Sequence, residues 1–65
     1  MIDALFENHG SVWLIRPLTE LGRDWLDDHV QAESWQWLGD ALSLAPRAVE
    51  AIADAMAEDG LEVSV

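Results

Sequence analysis

The feature that most restricts the fold is a change of period between Ser34 and Ala45 (SWQWLGDALSLA), where larger apolar residues begin to alternate. Gly39-Asp40 interrupts this alternation at its midpoint, and a Gly-Asp pair suits a two-residue hairpin turn. Such a turn fixes the register. Leu38 opposes Ala41, Trp37 opposes Leu42, Gln36 opposes Ser43 and Trp35 opposes Leu44. Cross-strand partners share a face, so Trp35, Trp37, Leu42 and Leu44 are expected on one side of a sheet. Gln36, Leu38, Ala41 and Ser43 then lie on the other. One turn satisfies both strands.

Upstream, Ser11 to Leu18 (SVWLIRPL) is a β-branched and aromatic run ended by Pro17, as in a strand buried on both faces. Val12 and Leu14 point one way, Trp13 and Ile15 the other. Thr19 stands at an N-cap position. From there to Val30, Leu21, Trp25, Leu26 and Val30 recur at helical spacing, while Glu20, Asp24, Asp27 and Asp28 fall elsewhere. Gly22 weakens that helix. A second helix opens at Ala45-Pro46, with Pro46 at N1, and buries Val49, Ile52, Ala53 and Met56. Gly60 is placed to cap its C-terminus. Leu61 to Val65 (LEVSV) alternates again, a last strand facing the core through Leu61, Val63 and Val65. Residues 1–10 fit either a short helix beginning at Leu5-Phe6 or a strand turning back at Asn8-His9-Gly10.

The order strand, helix, strand, strand, helix, strand predicts an α+β domain of ferredoxin-like βαββαβ type over residues 1–65. Its sheet has four antiparallel strands, and both helices cover one face. The inner face takes Trp35, Trp37, Leu42, Leu44, Leu61, Val63 and Val65. The open face shows Gln36, Leu38, Ala41, Ser43, Glu62 and Ser64 with one alternating set of the first strand. Either set leaves an apolar spot there, so Val12, Trp13, Leu14, Leu38 and Ala41 are candidates for self-association as a homodimer. At 65 residues the chain is near the lower size limit for a self-supporting core, and no Cys is present to staple it. Apolar content of 51% and four Trp compensate.

Thirteen Asp and Glu stand against three Arg and no Lys, a formal charge of −10. Phosphates repel such a chain, which argues against direct binding to nucleic acid or to an anionic membrane. No apolar run reaches the ~20 residues of a membrane span. The stretch MIDALFENHG carries no basic residue and does not read as a secretory signal, so a cytoplasmic protein is expected. The acids fall in rows: Glu20, Asp24, Asp27 and Asp28 on one helix, Glu50, Asp54 and Glu58 on the other. Residues four apart rise together by about 6 Å, so each row is a line of charge on an outer face. Two readings follow. The rows keep an apolar chain in solution, or they are the surface that a basic, nucleic-acid-binding site on a partner protein meets.

Other constellations point away from catalysis and metal binding. Asp24, Asp27, Asp28 and His29 are oxygen-rich, but they lack EF-hand spacing and sit on diverging helix faces. His29 is expected to pair with a nearby Asp or with the helix C-terminal dipole. His9 and Ser11 lie close in sequence, yet neither an oxyanion hole nor a nucleophile elbow accompanies them. Asn8-His9-Gly10 reads as a turn. No catalytic residue, cofactor or metal ligand is therefore assigned. Trp13 is either a core aromatic or an exposed anchor. Arg16 either pairs with Glu62 across the sheet or marks the contact surface, and Arg47 is placed to bridge Glu50.

The run His9-Gly10-Ser11-Val12-Trp13-Leu14-Ile15-Arg16-Pro17-Leu18-Thr19 resembles a segment near the start of small bacterial and prophage proteins without a defined activity. The likeness extends to the Trp-rich hairpin and to Asp59-Gly60-Leu61-Glu62-Val63, and so covers most of the chain. It implies a bacterial or phage origin. In size, acidity and lack of a catalytic motif the chain is also similar to phage-encoded inhibitors such as anti-CRISPR proteins. Neither likeness carries functional residues. The acidic rows on both helices lead to the expectation of a non-catalytic inhibitor that mimics nucleic acid; the alternative is a homo-oligomeric module using its open sheet face.

Overall fold

A computed structural model describes all residues from Met1 to Val65. Its elements are β1 (Ala4–Asn8), β2 (Trp13–Pro17), α1 (Glu20–His29), β3 (Trp37–Leu38), β4 (Ala41–Leu44), α2 (Pro46–Glu58) and β5 (Val63–Ser64). A short 3₁₀ turn, Ser34–Gln36, leads into β3. The two helices and a five-stranded mixed sheet make an α+β fold.

The four-stranded, all-antiparallel ferredoxin-like sheet does not form as expected. The strand order is β3-β4-β2-β1-β5. The four anticipated strands are all present, and the fifth, from residues 1–10, is inserted between β2 and β5. It turns back on β2 as an antiparallel hairpin in the register Ala4↔Pro17 to Asn8↔Trp13. The Gly10 N–H donates to Asn8 Oδ1 at 2.8 Å in the turn, and the His9 N–H donates to the Val12 carbonyl. β5 then pairs with β1 in parallel, Ala4↔Val63 and Leu5↔Ser64, which makes the sheet mixed. The physical reason is local. β4 takes one edge of β2, and the short turn after Asn8 folds β1 back onto the other, so β5 pairs with the edge that β1 leaves open.

Strand alternation then sorts the side chains. Ala4, Phe6, Trp13, Ile15, Trp37, Leu42, Leu44 and Val63 share the inner face. Trp25 and Leu26 of α1 and Val49, Ala53 and Met56 of α2 join them in one core cluster, so both helices cover that face. Ile15, Leu26, Leu42 and Met56 are its largest fully buried side chains, each worth about 1.5–3 kcal/mol of apolar transfer. The Leu38↔Ala41 and Trp37↔Leu42 pairs place the turn at Gly39-Asp40, as the sequence indicates. Trp35 departs from its expected core position. The Gln36 side chain accepts from the Glu33 N–H at 2.9 Å, winds the chain into the 3₁₀ turn and leaves Trp35 73% exposed. Leu21 and Val65 were also expected inside, and both are exposed. β5 is shorter than the anticipated strand, so Val65 lies beyond its last pairing.

The helix ends follow the sequence closely. Thr19 caps α1, its hydroxyl oxygen accepting the Gly22 N–H at 3.1 Å. Pro46 occupies N1 of α2. At the far end the Leu61 N–H donates to the Met56 carbonyl and the Gly60 N–H to that of Ala57, with Gly60 at φ +88°. This is a Schellman ending, and it needs a residue tolerant of the left-handed region. Its hydrophobic partners, Met56 and Leu61, are both buried.

Two acids act as structural ties. Asp3 accepts the Thr19 hydroxyl at 2.7 Å and the Glu62 N–H at 2.9 Å, while its own carbonyl accepts the Leu18 N–H. These bonds hold its carboxyl below the usual carboxylate range, the Glu62 N–H contributing most and the Thr19 hydroxyl next. Asp59, just past α2, accepts the Trp25 indole N–H at 2.6 Å. His29 stacks on Trp25, with ring centroids 4.2 Å apart, and places Nε2 3.7 Å from the same carboxylate. His29 Nδ1 faces the Trp25 carbonyl at 2.9 Å. His29 thus has both expected neighbours, an Asp and a carbonyl near its helix C-terminus.

Candidate functional site

The two sides of the molecule differ in chemistry. On the helical side, Glu20, Asp24, Asp27 and Asp28 of α1 and Glu50, Asp54 and Glu58 of α2 are all exposed. Because both helices pack on one face of the sheet, both rows belong to one side of the protein. Of the seven, only Asp27 has an ion pair, with Arg23 at 3.3 Å. Arg23 also sits over the Trp37 ring, its guanidinium carbon 4.0 Å from the ring centroid. That cation is held low against the protein. Arg47 is exposed at the start of α2 and makes no ion pair, so the anticipated bridge to Glu50 is absent.

The other side is the bare face of the sheet. Its outward residues are Leu5 and Glu7 of β1, Leu14 and Arg16 of β2, Leu38 of β3, Ala41 and Ser43 of β4, and Ser64 of β5. Of the expected self-association set, Leu14 and Leu38 lie here, and half-buried Val12 continues the same alternation. Trp13 does not belong. It points inward opposite Leu44 and packs against the core. Ala41 has the right direction, but it is fully buried and offers no contact area.

Arg16 pairs with Glu7 at 3.1 Å and with Asp40 at 3.1 Å, not with Glu62. The inserted β1 explains the change, because it separates β2 from β5 and supplies Glu7. The Arg16 hydrogen bond is the main cause that holds the Glu7 carboxyl below its ordinary range, and the Arg16 guanidinium is raised in turn. His9 Nε2 stands 3.6 Å from Glu7 as well. Charges on the open face are therefore closed among themselves. Residues 1–10 hid Leu5 and Glu7 from the sequence reading, since neither can be placed without the register of β1 on β2.

No three Asp, Glu or His side chains converge in a geometry that could hold a metal ion, including Asp24, Asp27, Asp28 and His29. One shallow groove runs beside exposed Trp35, lined by Ser11, Val12, Gln36, Ser43, Leu44 and Ala45. Two of its polar groups, Gln36 and Ser43, are occupied with each other: the Ser43 hydroxyl donates to the Gln36 carbonyl at 3.0 Å. No helix is long and apolar enough to cross a membrane. Comparison with protein-family models, with curated proteins and with solved structures finds no match to this chain.

Proposed function

We propose that this chain is a non-catalytic inhibitor whose acidic helical side occupies a basic, nucleic-acid-binding surface on a partner protein. In this reading it is a nucleic-acid mimic of the anti-CRISPR kind, from a phage or a bacterial chromosome. The observation that supports it is the exposure of Glu20, Asp24, Asp27, Asp28, Glu50, Asp54 and Glu58 on one side, six of them without a cation. Like charges four apart destabilise a helix by about 0.2–0.5 kcal/mol per pair, so the rows have a standing cost. A basic partner relieves that cost and is steered by the same field.

The test is capture from a bacterial lysate, with an Asp24→Arg, Asp54→Arg double variant as control. The protein retained by the wild type should bind nucleic acid by itself and release it when this chain is added. Its affinity should fall steeply between low and physiological salt. Retention of the same protein by both baits, or indifference to salt, overturns the reading.

A further inference from the structure

The hairpin of β1 and β2 places four outward side chains at the corners of a rectangle: Leu5 opposite Arg16, and Glu7 opposite Leu14. Leucines occupy one diagonal and opposite charges the other. We infer that this checkerboard is the contact between two copies of the chain, related by a two-fold axis along the Leu5–Leu14 diagonal. Rotation about such an axis lays leucines over leucines and brings each Arg16 beside Glu7 of the second copy, within the reach of the two side chains. The pattern is its own complement, as an isologous interface requires.

Three observations select a second copy as the occupant. The open face has no covering layer, although Leu5 and Leu14 are half-buried and Leu38 is exposed on it. A second copy is repelled by the helical side, where acids meet acids, and the closed Glu7–Arg16–Asp40 group leaves the sheet side nearly neutral. Hydrogen-bonding capacity also remains. Arg16 uses Nη1 for Asp40 and Nη2 for Glu7, and Glu7 uses only Oε1, leaving its other oxygen and several guanidinium N–H groups for the second copy.

Strands about 4.8 Å apart and residues two apart by about 6.8 Å incline the diagonal about 35° to the strands. The two sheets then cross at about 70°, in the steep class of sheet packing. One side of a body measuring 27 × 20 × 18 Å is a small interface, so a dissociation constant of about 1–100 µM is expected. Both acidic sides stay outward in the dimer. This assembly is independent of the inhibitor reading.

Sedimentation equilibrium of the full chain tests it. The wild type should pass from 7.2 kDa toward twice that mass as concentration rises through the micromolar range. Arg16→Glu and Glu7→Arg, each in an Asp40→Asn background that itself still dimerises, should each weaken self-association by about a hundredfold or more, because like charges then face each other. Mixing the two variants restores every opposite pair, so the mixture should dimerise. The double swap restores the pair within each chain as well and should behave as the background does. Four results overturn the proposal: a wild type still monomeric at about 1 mM, single variants that dimerise undiminished, a mixture that stays monomeric, or a folded double swap that stays monomeric.

Discussion

Gly22 and Asp3 are best understood as one contact. A Cβ on Gly22 would overlap the Asp3 carbonyl oxygen, and that oxygen is fixed because it accepts the Leu18 N–H at 2.8 Å. Helix propensity alone favours Gly22→Ala by ~1 kcal/mol. Overlap with a tethered backbone atom outweighs it, so the variant should lose about 1–3 kcal/mol. A thermal melt should fall by about 4–8 °C per kcal/mol, and an unchanged or higher midpoint would contradict the close approach. The Asp3 carboxylate makes the same junction sensitive to acid. Its folded-state pKa is depressed, so its contribution is fully present above the unfolded value near pH 4 and disappears as pH falls through the lower folded value. Asp3→Asn should therefore be less stable than wild type at pH 7, and the gap should close in strong acid. Chemical denaturation across that range reads it directly.

The helices and the β3–β4 hairpin were legible because their causes are local: a 3.6 period with caps at Thr19, Pro46 and Gly60, and an alternation broken by Gly39-Asp40. β1 was not legible. Ala4-Leu5-Phe6-Glu7 suits either helix or strand, and its state is decided by β2, a partner the local sequence does not contain. Trp35 leaves the core because the Glu33–Gln36 turn overrides the first residues of the alternating segment, and strand pairing starts only at Trp37. The acidic rows could be read from period alone, whereas the checkerboard requires a register between two strands, one of them unassigned. Each row also makes its own prediction. Asp24 stands between Glu20 and Asp28, and Asp54 between Glu50 and Glu58. Asp24→Asn and Asp54→Asn each relieve at least two like-charge pairs and should stabilise the fold by about 0.4–1 kcal/mol. On the inhibitor reading both weaken partner binding. Greater stability with lower affinity is the signature to look for in melts and titrations of the same samples.

A net charge of −10 on 65 residues makes ionic strength the variable that most affects the molecule as a whole. Raising salt from about 0.01 to 0.15 M shortens the screening length from about 30 to 8 Å. Self-repulsion within the folded chain then declines, and the melting temperature should rise. A fall would mean that the few pairs at Arg16 and Arg23 outweigh the rows. The parallel pairing of β1 with β5 has a consequence in time. It joins segments nearly sixty residues apart, so the pairing must close a long loop of chain before its contacts form. Closing that gap is expected late in folding, and contacts formed late govern how fast a fold comes apart more than how fast it assembles. Val63→Ala should accordingly quicken unfolding and leave the refolding rate nearly unchanged.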